Sequence, residues 1–190
     1  MALYTASYLR SKKQSLADYQ KIRLYSESKR RSTFDIFLCH SYNDREVIEG
    51  IFIELSEMGF SVYVDWIVDP QLDRANVTEE SARHIRERLE SSRSLLLAIS
   101  ENAVLSKWAP WELGVVDGNT KNCALFPISE SQHPSSSFKG REYLSIYPYI
   151  TRVNELHSTK LYAAKNANTY RPFNEWVAGQ KPIFYSRSIF

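Results

Sequence analysis

One short stretch of this chain carries two tryptophans and a carboxylate at a spacing that suits ligand binding. It reads Ser106-Lys107-Trp108-Ala109-Pro110-Trp111-Glu112-Leu113-Gly114. In a helix Trp108 and Glu112 share a face, because they are four residues apart. Pro110 is tolerated in a first helical turn, where its missing N–H costs nothing. A carboxylate beside an aromatic plane suits a cationic or flat ligand. Tryptophans at helical spacing are usually core residues and a neighbouring Glu is usually solvated, so this stretch alone leaves both interpretations open.

The elements that would position this stretch alternate between apolar runs and amphipathic segments, which predicts an α/β fold. Short apolar runs between turn residues are typical of strands buried on both faces of a parallel sheet. Strands alternating with helices at this spacing favour right-handed crossovers. We therefore expect a five-stranded parallel sheet with helices on both faces, and its strands at 34–39, 60–66, 94–99, 123–128 and 143–147.

Capping residues predict where the helices begin and end. Asn43 with Glu46 three residues later resembles a capping box for the helix after the first strand. Gly59 suits the C′ position of that helix. Thr78 is expected to cap the next helix, and Gly118 to end the helix that carries both tryptophans.

Polar and aromatic side chains follow the carboxyl ends of three expected strands, in segments 40–44, 65–66 and 100–112. In open parallel sheets ligands bind at this edge, near the point where the strand order reverses. The three segments are therefore expected to meet at one cleft. The candidate residues there are His40, Ser41, Tyr42, Asp65, Trp66, Trp108, Trp111 and Glu112.

The overall composition gives no reason to expect nucleic acid or an anionic membrane as a partner. The net charge is +2, and we interpret the basic residues near the N-terminus as a solvated leader rather than a nucleic-acid-binding arm. The chain has no apolar segment of membrane-spanning length and no secretory signal, so we expect it in the cytoplasm. Cys39 and Cys123 lie in apolar runs and are expected to be buried and reduced.

Several common catalytic motifs are absent from the sequence. The six glycines form neither G-x-G-x-x-G nor G-x-x-x-x-G-K-[ST], so the usual phosphate-binding loops are missing. G-x-S-x-G does not occur, and the histidines lack metal-ligand spacing. We expect no metal ion and no bound cofactor.

Two segments resemble the sequence boxes of TIR (Toll/interleukin-1 receptor) domains. The run from Phe34 to Ser41 is similar to their first box, although Cys39 stands where serine is usual. The run from Ser106 to Leu113 is similar to the Ser-x-Trp-x-x-x-Glu-Leu signature of their third helix. The order of elements agrees from about residue 32 to residue 149, an agreement across levels that supports the resemblance.

The resemblance implies a flavodoxin-like fold and, in many members, cleavage of the nicotinamide–ribose bond of NAD+. It places the catalytic glutamate at Glu112 and its aromatic neighbour at Trp108. The Trp-Ala-Pro-Trp-Glu-Leu-Gly form resembles stand-alone prokaryotic members, including those of the Thoeris antiphage system, whose ADP-ribose-derived products activate a partner effector. NAD+ would then be a substrate, and the chain would form homo-oligomers through TIR–TIR contacts.

The other candidate residues have alternative roles. Trp66 or Trp108 would stack a ring of NAD+, and Trp111 is a further candidate for substrate binding. His40 and Ser41 would bind ribose or phosphate, or instead make strand-end hydrogen bonds, and Asp65 would bind substrate or loop amides. Arg74 suits a phosphate or a solvated position. The loop 67–77 that holds it lacks the glycine common in the family, which leaves hydrolysis, cyclisation and transfer open.

The domain organisation predicted from the sequence has three parts. Residues 1–32 form a basic, partly helical leader in which Leu16, Tyr19, Ile22 and Leu24 lie near helical spacing. Residues 33–150 form the TIR domain, and residues 151–190 form an extension that packs on it. The alternative to an NAD+-cleaving enzyme is an inactive TIR module that acts through protein–protein contacts. A fold resembling nucleoside 2-deoxyribosyltransferases, which also use a glutamate, is a more distant third.

Overall fold

The computed structural model describes residues 1–72, 78–100, 108–120, 122–131, 137–140, 142–155, 158–166, 168–179 and 185–186, without the side chains of residues 42, 185 and 186. Arg74 and the side chain of Tyr42 lie outside this description. The described helices are α1 (Ala6–Ser15), α2 (Asp18–Lys29), α3 (Arg45–Glu57), α4 (Asp65–Val68), α5 (Glu79–Glu90), α6 (Ala109–Asn119) and α7 (Phe173–Val177). The described strands are β1 (Tyr4–Thr5), β2 (Phe34–Cys39), β3 (Val62–Tyr63), β4 (Ser92–Ile99), β5 (Cys123–Ser129), β6 (Tyr149–Asn154), β7 (Thr159–Asn166), β8 (Thr169–Pro172) and β9 (Tyr185–Ser186).

The strands form one mixed sheet in the order β3-β2-β4-β5-β6-β7-β8-β9, and β1 pairs with β5. The strands from β3 to β6 are parallel to one another, whereas β6 to β9 run antiparallel. Within the parallel part, β2 lies between β3 and β4, although β2 comes before both in the chain. This order is one of the doubly wound arrangements of α/β proteins. The predicted α/β class is confirmed, but within the described residues the sheet has nine strands because β1 and the last three strands extend it.

The predicted fifth strand at 143–147 was wrong. Residues Glu142–Ile146 form a 3-10 helix, and the strand begins only at Tyr149. The apolar alternation there does not mark a buried face, since Tyr143 is 50% and Ile146 61% exposed. A Cβ at Gly140 would lie 2.6 Å from the backbone carbon of Leu144, so a close backbone approach shapes this turn.

Three other boundaries differ from the prediction. Asn43 does not cap α3, since a 3-10 turn over Tyr42–Asp44 places Asp44 at the N-cap. The strand expected at 60–66 is shortened to β3 because α4 begins at Asp65. Strand β5 continues past Pro127 to Ser129, where β1 supplies new pairing partners.

Two predicted caps are confirmed and one was wrong. Gly59 has a φ of +90° just after α3, a conformation that glycine adopts without steric cost. The side chain of Thr78 accepts a hydrogen bond from the Ser81 backbone N–H at the start of α5. Gly118 lies inside α6, which continues to Asn119 and has Thr120 at its C-cap.

The helices cover both faces of the parallel strands. Connections between parallel strands are right-handed in nearly all proteins. Along the sheet, β3 lies on one side of β2, and β4 and β5 lie on the other. By this rule α3 lies on one face of the sheet, and α5 and α6 lie on the opposite face. Helices α1 and α2 pack on α3, and α5 packs on α6. Between these layers the strands are almost wholly buried, including Cys39 and Cys123 as expected.

The N-terminal helices are joined to this core by buried polar contacts. Glu54 of α3 is 3% exposed and accepts hydrogen bonds from the hydroxyls of Tyr4 at 3.1 Å and Tyr8 at 3.0 Å. Lys12 of α1 lies 3.1 Å from the same carboxylate. Residues before β2 therefore belong to the packed structure. Of the apolar residues expected at helical spacing, Leu16 and Leu24 pack against the core, whereas Tyr19 and Ile22 are 74% and 63% exposed.

The chain beyond β6 is also packed against the sheet. Phe173, Trp176 and Val177 of α7 are buried, and the Phe173 ring meets that of Phe60 at 5.0 Å. Within the described residues no helix has both the length and the apolar character needed to cross a membrane.

Candidate functional site

The carboxyl end of β2 is linked to α4 through His40. This side chain is buried, and its Nδ1 lies 2.9 Å from the carbonyl oxygen of Leu38. Because a carbonyl only accepts hydrogen bonds, Nδ1 carries the proton. Nε2 then faces Asp65, whose Oδ1 is 3.5 Å away. The structure thus brings His40 and Asp65 together, as the strand-end argument predicts.

A second link crosses from β2 to β4. The hydroxyl of Ser100, just after β4, donates to Asp44 Oδ2. Asp44 is the N-cap of α3, yet its carboxylate does not cap that helix. Strands β2 and β4 flank the point where the strand order reverses, where ligands of such sheets bind. Asp44 lies in the segment 40–44 that was expected at the cleft, but it was not among the candidate residues, although its place after a buried strand was the available signal.

Ser41 and Asp65 are buried at the same edge, 5% and 6% exposed. Oδ1 of Asp65 also accepts the backbone N–H of Trp66 at 2.6 Å. This contact is the loop-amide role that the sequence offered as the alternative for Asp65, and it holds the first turn of α4 in place.

Glu112 lies in the first turn of α6 on the side that faces the sheet. It is 0% exposed, and Ala109, Leu113 and Val116 on the same face are buried as well. A fully buried glutamate is rare, since removal of a carboxylate from water is costly unless the fold compensates it. The first turn favours negative charge because the N-terminal end of a helix is its positive end. The structure therefore holds a carboxylate out of water beside the sheet.

The two tryptophans of α6 pack against each other. Their ring centroids are 5.6 Å apart with an interplanar angle of 68°, and both rings are partly buried. The guanidinium carbon of Arg86 lies 5.8 Å from the Trp111 ring. Trp108 shares the helical face of Glu112, whereas Trp111 is oriented toward α5, so Trp108 is the better placed of the two to border a ligand near Glu112. Ser106 and Lys107 lie outside the described residues.

The described contacts of Trp66 are with α2 and α3, so they do not support the expectation of one pocket lined by Trp66 and Glu112. The guanidinium carbon of Arg45 lies 4.5 Å over its ring, and the Tyr25 ring meets it at 6.4 Å and 90°. Both neighbours belong to the α2–α3 side of the sheet, opposite α6. The physical reason is the start of α4 at Asp65, which ends β3 and turns Trp66 toward α2. One ring face is covered by Arg45, which disfavours stacking of a substrate there.

A cavity of about 370 Å³ lies elsewhere, between the turn after α4 and the outer side of α5. It is lined by Gln71, Leu72, Thr78, Glu80, Ser81, Arg83, His84 and Glu87. None of the described site candidates lines it. Its lining includes neither His40 nor Ser100, so it is separate from the strand ends that carry these two residues.

Asp69 anchors the wall of this cavity. It is 4% exposed and binds Arg88 through two hydrogen bonds of 2.8 Å, the Tyr63 hydroxyl at 3.0 Å, and His84 Nε2 at 2.9 Å. Burial by itself would raise the pKa of Asp69, but the hydrogen bonds from Arg88, His84 and Tyr63 hold that pKa below its ordinary value. This cluster fixes the end of α4 against α5.

No group of three or more His, Cys, Asp or Glu side chains suited to a metal ion occurs among the described residues. Of the buried acids at the strand ends, Asp44 accepts a hydrogen bond from the Ser100 hydroxyl, and Asp65 lies 3.5 Å from the His40 ring.

Comparison with known proteins gives consistent matches. Residues 36–156 match the family described as TIR domain. The chain is 40% identical over 155 residues to "Probable 3' cyclic ADP-D-ribose synthase ThsB'" of Bacillus cereus (strain MSX-D12), with 80% of each chain covered. It is 31% identical over 84 residues to a protein of Cytobacillus dafuensis with the provisional name cyclic ADP-D-ribose synthase TIR2, and this match covers 44% of this chain and 22% of that protein.

A solved structure is also similar, the TIR domain of the Toll-related Receptor TRR-2 from Hydra magnipapillata. It is 21% identical, with 56% of this chain and 76% of that chain covered and a TM-score of 0.38. At that TM-score the likeness adds nothing to the assignment.

Proposed function

This chain belongs to the TIR domain family, and from that premise we propose that it is an enzyme that cleaves the nicotinamide–ribose bond of NAD+. The products would be nicotinamide and an ADP-ribose derivative. The observation that carries the proposal is Glu112, a carboxylate at 0% exposure in the first turn of α6. It occupies the position that the family signature gives to the catalytic glutamate.

The proposed reaction needs little catalytic machinery. When the bond between ribose C1′ and the ring nitrogen breaks, its electron pair moves to the nitrogen, and the cationic pyridinium leaves as neutral nicotinamide. No general acid is required. The ribose is left as an oxocarbenium ion, and a carboxylate already removed from water stabilises that developing charge. We assign this role to Glu112, and to Trp108 the role of an aromatic wall beside it.

We propose that the product is cyclic. The relatives from Bacillus cereus and Cytobacillus dafuensis are named for cyclic ADP-D-ribose synthesis. In cyclisation a nucleophile of the same ADP-ribose, such as a ribose hydroxyl, captures C1′ and loses its proton, whereas in hydrolysis water does so. A cyclic nucleotide of this kind would be a diffusible signal for a separate effector in antiphage defence. The reaction would take place in the cytoplasm, where NAD+ is abundant.

The test is incubation of the purified chain with NAD+ and measurement of released nicotinamide by liquid chromatography, with mass analysis of the second product. A cyclic product is lighter than linear ADP-ribose by one water. Glu112→Gln is the control, because it keeps the side chain's size and removes its charge. Absence of nicotinamide release from the parent at all protein concentrations would reject the enzyme and favour the assembly module instead.

A further inference from the structure

Tyr25 of α2 stands where three helices meet. Its hydroxyl donates to Glu49 Oε1 of α3 at 2.5 Å, and its ring meets that of Phe52 at 5.6 Å. On another side the ring meets Trp66 of α4 at 6.4 Å with an interplanar angle of 90°. One side chain of α2 therefore contacts both α3 and α4.

Helix α4 depends on contacts with other helices for its stability. It has four residues, and a single helical turn is not stable alone. The strand before it, β3, has two residues and lies at the edge of the sheet. Trp66 is held between Tyr25 and the Arg45 guanidinium, and the Asp69 cluster holds the other end of α4. Trp66 is thus the contact through which α2 and α3 position α4.

Helix α2 is itself attached to the sheet edge. The hydroxyl of Ser28 donates to the Val62 carbonyl of β3 at 2.9 Å, in a buried contact. The hydroxyl of Ser28 therefore satisfies a carbonyl of the edge strand. Helix α2 lies before residues 36–156, which match the family. A segment outside the matched region therefore supports the turn that carries Asp65.

We infer that Tyr25 is a positioning residue for the proposed NAD+ site, an inference that rests on the proposed function. Tyr25 contacts Trp66 and so fixes the position of α4. Asp65 belongs to the same helical turn, and its Oδ1 lies 3.5 Å from His40 Nε2 at the end of β2. A one-turn helix moves as a unit, so a shift of Trp66 also shifts Asp65, one residue earlier. A misplacement of about 1 Å in a site costs about 10²-fold in rate.

The kinetic test compares three variants. Tyr25→Met keeps an apolar, helix-compatible side chain but removes the ring, and Tyr25→Phe keeps the ring and removes the hydroxyl. Tyr19→Met is the matched control, because Tyr19 is on the same helix and 74% exposed. For NAD+ cleavage, Tyr25→Met should lower kcat/KM by about tenfold or more. Tyr25→Phe should retain most of the parental kcat/KM, and Tyr19→Met should have the same kcat/KM as the parent.

A second readout does not depend on activity. With fluorotryptophan incorporated at the four tryptophans, the Trp66 resonance can be assigned from Trp66→Phe by fluorine NMR. Tyr25→Met should shift that resonance and Tyr19→Met should leave it in place. If Tyr25→Met is not recovered folded, Tyr25→Leu takes its place in both measurements.

The outcomes separate the inference from the function on which it rests. An unshifted Trp66 resonance in Tyr25→Met overturns the positioning role, as does a shifted resonance with unchanged kcat/KM. A parent that releases no nicotinamide refutes the proposed function instead, and the resonance then decides the contact between Tyr25 and α4 separately.

Discussion

The replacement of Glu112 by Gln tests the proposed chemistry most directly. Glutamine has nearly the same size and helix propensity as glutamate, so the variant removes charge and little else. The carboxylate is wholly buried, and charges in such a site interact with an effective dielectric constant of about 20. For a carboxylate about 4 Å from the developing ribosyl cation, the attraction is then about 4 kcal/mol.

This energy converts directly into rate. At about 1.4 kcal/mol per tenfold change, loss of about 4 kcal/mol lowers kcat about 10³-fold, which is also the upper range for removal of one stabilising group from a catalytic site. KM should change less than kcat, because the pyridinium charge of ground-state NAD+ is spread over its ring and interacts with the carboxylate more weakly than the charge that develops on the ribose. The assay is nicotinamide release under saturating NAD+, with the parent and Glu112→Gln at equal concentrations of folded protein.

The thermal midpoint of unfolding provides the control for this experiment. Burial of a carboxylate costs several kcal/mol before compensation, so an uncharged amide at position 112 should leave the midpoint unchanged or higher. A variant that cleaves NAD+ at the parental rate would refute the assignment of Glu112. A variant that loses activity together with its thermal transition would show a structural role instead.

Three further predictions concern other parts of the molecule. Trp108→Ala should raise KM for NAD+, which steady-state kinetics measures. It should also lower the free energy of unfolding by about 2 kcal/mol, measured by denaturant titration. This loss is below the usual range for a fully buried Trp, because the Trp108 ring is only partly buried, against Trp111. Asp69→Asn should destabilise the fold by about 3 kcal/mol at neutral pH. Because the pKa of Asp69 is lowered in the folded state, its contribution is complete above the unfolded-state pKa near 3.9 and disappears as the pH falls through the folded-state pKa, so parent and variant should converge in acid. If the cleft is completed by a neighbouring copy, as the family resemblance implies, specific activity should rise with protein concentration, and a flat dependence for a monomer by light scattering would contradict this.

The strands nearest the site could be predicted because a strand buried on both faces is apolar at nearly every position. Strands β2, β4 and β5 are continuous apolar runs, and each lies inside the sheet. The C′ position of Gly59 and the N-cap at Thr78 could also be predicted, since each depends on the conformation of only one or two residues. From these elements the meeting of His40 with Asp65 at one edge followed by topology alone.

The errors occurred where tertiary contacts outweigh local pattern. The alternation at 143–147 has strand character, but Tyr143 and Ile146 are exposed and the turn is set by the approach of Leu144 to Gly140. The apolar pattern before Trp66 predicts a strand that continues through this residue, yet α4 already begins at Asp65. The packing of Tyr25 on Trp66 joins residues far apart in the chain, and no spacing rule predicts it. In the leader, the helices were predicted and Leu16 and Leu24 pack against the core, but Tyr19 and Ile22 satisfy the helical pattern while facing water.

The burial of Glu112 bears on the product as well as on the rate. Once nicotinamide has left, the ribosyl cation is captured by whichever nucleophile reaches C1′ first, and a closed site keeps water from competing. If the carboxylate, 0% exposed in this structure, stays shielded from bulk water when NAD+ is bound, a cation held beside it is better placed for attack from within the same ADP-ribose. The burial that would make Glu112 effective in the proposed reaction would therefore also favour a cyclic product. Trp108, on the same helical face, would contribute to keeping water out. In Trp108→Ala the ratio of linear to cyclic ADP-ribose should rise, even where total nicotinamide release falls; an unchanged ratio would mean that other groups decide the product.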